Sequence, residues 1–170
     1  MSFDKLDSLL SSRSQKPPEQ KSRAERAPVL IIDDDAGIRT ALTVLLSDIY
    51  DVIVCASAQE GVAAMHGEVC AVILDVKMQV HDGFWACDRI REKWPEIPVI
   101  FYSAYQDAKD PYRIINEHRP FAYLPKGSDE TRLLKTLEHA VRLYSIALKS
   151  RKLMEAFQQK AQPKVAEDAP

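Results

Sequence analysis

Four short apolar runs in this chain each stop at a residue with chemistry to offer. Val29 to Ile32 runs into Asp33 and Asp34, Ala71 to Leu74 into Asp75, Val99 to Tyr102 into Ser103, and Ala122 to Pro125 into Lys126. None of the runs alternates apolar with polar residues, so each reads as a strand covered on both faces. Helical patterns lie between them. Strand alternating with helix means parallel strands, helices on both sides of the sheet, and one edge where all the strand ends collect. Ligands of open sheets bind just beyond that carboxyl edge, so the recurrence nominates a single site assembled from four separate segments.

The remaining elements follow from periodicity and punctuation. A helix is predicted over Ala36 to Ser47, with Ile38, Leu42, Leu45 and Leu46 as its buried stripe, and a further strand over Asp51 to Cys55. Ala58 to Met65 forms a short helix with Val62 facing inward. The loop Val76 to Asp82 leads to a helix over Gly83 to Lys93 that buries Phe84, Cys87, Ile90 and Trp94, and Pro95 stops it. Asp110 as cap and Pro111 at the first position start another helix ending near His118. Ser128, Asp129 and Glu130 open the last helix with a cap and acids suited to its positive end. Five strands alternating with five helices make a doubly wound α/β fold with an extended C-terminal helix.

That helix should pack Leu133, Leu137, Ala140, Val141 and Tyr144 on the sheet, yet apolar residues continue beyond the length the domain needs. Leu143, Ile146, Ser150, Leu153 and Phe157, spaced three, four, three and four apart, mark a two-heptad seam for a homodimer or a partner helix. Lys149, Arg151 and Lys152 keep the flank soluble. The expected organisation is a flexible leader over 1–27, rich in Ser, Gln, Pro and charge, a folded unit over 28–145, and a helix extension with a disordered tail over 146–170, the tail starting at Gln158. Within the leader, Phe3, Leu6, Leu9 and Leu10 have helical spacing, but a helix that short is marginal in water.

Composition excludes several classes. A net charge of -2 gives no global pull toward nucleic acid or an acidic membrane surface. Asp4, Lys5 and Asp7 spoil a signal-peptide core, so a soluble cytoplasmic protein is expected. Five glycines form no phosphate-binding loop. Cys55, Cys70 and Cys87 have no metal-ligand spacing and read as reduced, half-buried thiols. His66, His81, His118 and His139 share no ligand spacing either and read as solvated.

Asp33, Asp34 and Asp75 converge as three carboxylates against one ammonium, Lys126. Such a cluster is costly without a hard divalent cation, and Mg²⁺ suits it. Asp34 and Asp75 are the expected direct ligands, with Asp33 reaching the ion directly or through water and the backbone carbonyl of Lys77 completing the set. Asp75 ends its strand without a neighbouring acid, beside an open loop, where a phosphorus donor can approach in line. It is the expected nucleophile of an aspartyl-phosphate. Lys126, the Ser103 hydroxyl and the Ala104 amide would neutralise the phosphoryl oxygens. Asp35 is assigned instead to capping the next helix.

Over roughly Pro28 to Tyr144 the chain resembles the receiver domain of two-component response regulators, of which the chemotaxis regulators are the single-domain form. The resemblance rests on Asp33-Asp34 after a hydrophobic strand, on Asp75 to Met78 followed by Asp82-Gly83, on Ser103-Ala104, and on Tyr123 three residues before Lys126. It implies a flavodoxin-like sheet of order 2-1-3-4-5 and Mg²⁺-dependent transfer of a phosphoryl group from a phosphohistidine to Asp75. It also implies a switch in which Ser103 turns toward the phosphoryl group and Tyr123 swings inward. The implied partners are a sensor histidine kinase or a phosphotransfer protein, and a downstream protein effector. Gln79 stands where the family commonly has proline, and Gly127 follows Lys126 where it commonly has a second one. Few residues follow Lys126, so a stand-alone phosphoacceptor signalling protein, rather than an enzyme, is expected. Two other readings stay open: a pseudo-receiver scaffold that acts without phosphorylation, and a phosphatase of the haloacid dehalogenase type. The latter carries Asp-x-Asp on its first strand, whereas the first-strand acids here are contiguous.

Overall fold

Strands without polar alternation need cover on both faces, and the sheet has it. The structure is a computed structural model that describes residues 26–104, 111–127 and 129–161. In chain order the elements are β1 (Pro28–Ile32), α1 (Ala36–Leu46), β2 (Asp51–Cys55), α2 (Ala58–Ala64), β3 (Ala71–Leu74), α3 (Gly83–Lys93), β4 (Val99–Ser103), α4 (Pro111–His118), β5 (Ala122–Pro125) and α5 (Glu130–Ala161). The five strands form one parallel sheet in the order β2-β1-β3-β4-β5. This is the doubly wound order expected from the resemblance. Every residue of β3 and β4 is buried, and Ile31, Ile73, Ile100 and Phe101 from the sheet meet Leu133 and Leu137 from α5 in one core. Full burial of each such side chain is worth roughly 1.5–3 kcal/mol, so the centre of the sheet is the firmest part of the molecule.

Capping residues set the helix starts. Asp35 accepts from the amides of Gly37 and Ile38 at α1, Ser57 from that of Glu60 at α2, and Asp82 from that of Trp85 at α3. The amide bonds hold the Asp35 carboxyl below its ordinary range. The expected caps Asp110 and Ser128 lie outside the described residues, as do the Phe3 to Leu10 pattern and the leader up to residue 25.

Four boundaries or placements differ from the expectations above. The last helix continues through Ala161, past the expected start of a tail at Gln158, because Gln, Lys and Ala are good helix formers. The end of the leader is anchored: the Arg26 guanidinium donates to the Ser47 carbonyl, and the Ala27 carbonyl accepts from the Asp51 amide. His118 is not solvated. It stacks on Phe84 with ring centroids 4.6 Å apart and lies 2.9 Å from the Asp88 carboxylate. His81 likewise stacks on Trp85. An imidazole can shield an aromatic face as well as bind a metal, and spacing alone does not separate the two.

Candidate functional site

Strand register carries the convergence. Ile32 pairs with Leu74, so Asp33 and Asp75 leave adjacent strands side by side, and the Asp75 amide donates to the Ile32 carbonyl at 2.9 Å. Ser103 pairs with Pro125, so Lys126 follows directly, its amide 3.0 Å from the Ser103 carbonyl. The Lys126 ammonium then spans the gap, with Nζ 2.8 Å from Asp33 Oδ2 and 2.9 Å from Asp75 Oδ2. Asp34 is exposed, but its carboxylate joins those of Asp33 and Asp75, with ligand oxygens of all three within 4.8 Å of one another. Its Oδ2 also accepts from the Gln79 amide at 3.3 Å, which ties the loop after β3 to the end of β1.

Burial and pairing compete at this edge. Burial pushes the Asp33 carboxyl up from its ordinary value, against the Lys126 hydrogen bond and the Asp35 amide that pull it down. Burial also acts on Lys126, where it favours the neutral amine, but hydrogen bonds to Asp33 and Asp75 outweigh it and raise the lysine. The two ends of one ion pair thus respond differently. The Asp33 side chain is 3% exposed against 13% for Lys126, so desolvation dominates at the acid and pairing at the base.

The loop between β3 and α3 comes close to the strand end. The Lys77 amide lies 3.4 Å from Asp75 Oδ1, and the Gly83 amide donates to the Val76 carbonyl at 2.9 Å. A Cβ on Gly83 would sit 2.1 Å from the Asp75 carbonyl oxygen and 2.9 Å from Val76 Cα, so only glycine lets the start of α3 approach the end of β3 this closely. Val80, at the tip of the loop, has φ 68°, an uncommon conformation for a β-branched residue.

Asp75, Lys77, Ser103, Ala104 and Lys126 line a cavity of about 220 Å³. Water takes about 30 Å³ per molecule, so the space holds a phosphoryl group with several waters. Ser103 is buried at its wall. Tyr123 is half-buried on β5, its ring 6.3 Å from that of Phe101. A wider cavity of about 570 Å³ opens at the opposite end of the sheet, lined by Arg26, Asp51, Glu68, Cys70, Lys149 and Lys152 among others. It mixes cations with anions and includes none of the residues at the carboxyl edge.

All the nominated residues therefore fall at this edge, with Tyr123 set back along β5. Two contributors, Arg39 and Val80, carried no sequence signal strong enough to nominate them, and a third, Gly83, counted in the sequence only as part of the resemblance. Gly83 acts through its missing Cβ. Arg39 donates to the Asp33 carbonyl at 2.6 Å, and Val80 takes up the sharp turn of the loop. A glycine directly after the capping Asp82 is the one cue that could have marked close approach.

This edge, on this sheet, defines a class. The response regulator receiver domain family matches residues 29–138, and the chain belongs to it. Among curated relatives, the hydrogenase transcriptional regulatory protein HoxA of Cupriavidus necator is 32% identical over 118 residues, 69% of this chain and 24% of its own. The DNA-binding transcriptional regulator NtrC of Rhizobium meliloti is 34% identical over 68% of this chain and 24% of its own. A solved response regulator receiver domain protein from Clostridium thermocellum superposes with a TM-score of 0.65 at 25% identity, covering 71% of this chain and 98% of its own. The chain thus spans about a quarter of the length of the first curated relatives it matches. No helix among the described residues is long and apolar enough to cross a membrane.

Proposed function

We propose that this chain accepts a phosphoryl group on Asp75 from a sensor histidine kinase or a phosphotransfer protein, and signals by phosphorylation-dependent contact with another protein. One observation carries the reading: the Lys126 ammonium sits within 3 Å of both Asp33 and Asp75 at the mouth of a cavity that Ser103 and Ala104 also line. The receiver unit in this reading is 28–145. Three buried, unpaired cysteines fit a reducing cytoplasm as the setting.

The donor set fits a magnesium ion. Asp33, Asp34 and Asp75 offer oxygens close enough to share one cation, Lys126 balances only one of three negative charges, and hard oxygen ligands suit Mg²⁺. The backbone carbonyl of Lys77 would complete the protein ligands. When bound, the ion neutralises charge on the phosphoryl oxygens.

The chain's own residues do the rest. Lys126 holds Oδ2 of Asp75, while Oδ1, which among the described residues accepts the longer bond from the Lys77 amide, is the oxygen available for attack. As Oδ1 bonds to phosphorus, the bond from phosphorus to the histidine nitrogen breaks and its electron pair returns to the imidazole. The Lys126 ammonium, the Ser103 hydroxyl and the Ala104 amide then take the phosphoryl oxygens. Ser103 turning toward the new group vacates space that Tyr123 fills, which alters the surface formed by α4, β5 and α5. Phosphorylation shifts this equilibrium only as far as those contacts differ between the two states.

The test is intact mass after incubation with Mg²⁺ and acetyl phosphate. The wild-type chain gains one phosphoryl group and Asp75→Asn gains none. A wild-type chain that gains nothing would favour a scaffold that acts without phosphorylation.

A further inference from the structure

α5 is apolar on two faces. At about 100° per residue, Leu133, Leu137, Ala140, Val141 and Tyr144 share one side, and all five are buried against the sheet. Leu143, Ile146, Ser150, Leu153 and Phe157 form a second line centred roughly 150° away around the helix. Its four large members expose 50, 56, 62 and 65% of their surface in chain order, far more than ordinary core residues do. The first side stays attached to the domain beyond the sheet, since Leu148 packs on the core and Arg151 pairs with Glu96. That attachment turns the second line outward. At its start the line borders an apolar groove of about 240 Å³ that Pro98, Phe121, Leu143 and Ala147 help to line.

We propose that this outer line is the seam of a parallel two-stranded coiled coil formed by two copies of this chain. The spacing puts Leu143, Ser150 and Phe157 at a positions and Ile146 and Leu153 at d positions. Charge then selects the orientation. Arg142 and Lys149 fall at g, and Ala147 and Met154 at e. An antiparallel pair sets g against g, so these cations would face the same cations of the second copy. A parallel pair sets g against e, so the stem of Lys149 covers the uncharged Met154 of the second copy. Parallel register also places Ser150 opposite its own counterpart, where two hydroxyls can bond. A shifted register would instead bury a lone hydroxyl against Leu or Phe. Two heptads alone are short, and the groove beside Leu143 lets the contact spread onto Phe121 and Pro98. None of this depends on chemistry at Asp75.

Two measurements on the full chain test the proposal. Light scattering on the eluting protein should give twice the chain mass for wild type, and the single chain mass for Leu153→Asp with an unchanged circular dichroism spectrum. Under mild oxidation, Phe157→Cys should form a covalent dimer, because a parallel pair places both new thiols in one layer. Wild type, whose three cysteines are buried, should form none. A single chain mass for wild type at micromolar concentration would overturn the dimer, and a dimer that persists in Leu153→Asp would overturn the seam. A Phe157→Cys dimer that does not crosslink would overturn the parallel orientation. Ile146→Asp repeats the mass test should Leu153→Asp fail to fold.

Discussion

The carboxyl edge of the sheet and the outer face of α5 use opposite logic. At the edge, unlike groups are packed together: three carboxylates and one ammonium, two of the acids buried, each strand end pinned to its neighbour by a backbone hydrogen bond. On α5, like groups are spread out: large apolar side chains stand in a row, each more than half in solvent or close to it. Buried unlike charges are costly to leave incomplete, which is why the proposed function places a cation and a phosphoryl group at the edge. Exposed apolar surface is reduced by another apolar surface, so the row is suited to a second helix. The two proposals thus rest on opposite chemistries at separate places, and each can be tested without touching the other.

Lys126→Ala should separate them most sharply. Removing the ammonium leaves the carboxylates of Asp33 and Asp75 facing each other, which costs about 3 kcal/mol in magnesium-free buffer, the lower end for a broken buried pair because Lys126 keeps some exposure. Chemical denaturation should show this loss, with part of it regained on adding Mg²⁺, while the dimer mass stays unchanged. The pair's contribution has a definite pH sign. Lys126 is raised in the folded chain, so its stabilisation is fully present below the ordinary lysine value of 10.5 and disappears as pH climbs through the raised value. Wild type and Lys126→Ala should therefore converge in alkali. A constant gap up to the alkaline limit would contradict the pairing.

Gly83→Ala probes the edge through the backbone. Its Cβ would strike the Asp75 carbonyl, so the start of α3 must move away, at roughly 1–3 kcal/mol, with slower phosphoryl uptake from acetyl phosphate. Wild-type uptake in this variant would mean that the loop does not position Asp75. The smallest effect is expected from Val80→Gly. Relieving a left-handed conformation in an exposed β-branched residue should stabilise the chain by about 1 kcal/mol in thermal unfolding. A loss of stability would show that Val80 makes a contact worth more than its strain.

The two regions also differed in how readily the chain disclosed them. The sheet was legible because its strands lack alternation, and the edge because four strand ends each carried a polar residue at the same relative place. Register then did the rest, since parallel strands of similar length bring their ends level. The α5 row was legible as a period distinct from the buried face, and the structure adds how far its large side chains stand in solvent. The close approach at Gly83 and the parts played by Arg39 and Val80 escaped the sequence for a common reason: their contributions are backbone geometry and contacts to main-chain oxygen, which residue type barely encodes. His118 was misplaced because an imidazole over Phe84 and beside Asp88 leaves no spacing signature.

Locating the phosphoryl group is the most direct test of the central claim. After reaction with acetyl phosphate and Mg²⁺, reduction with labelled borohydride converts an aspartyl-phosphate to labelled homoserine, which peptide mapping can place. The account predicts label at Asp75 and at no other aspartate. Label on Asp33 or Asp34, or no label at all, would contradict it.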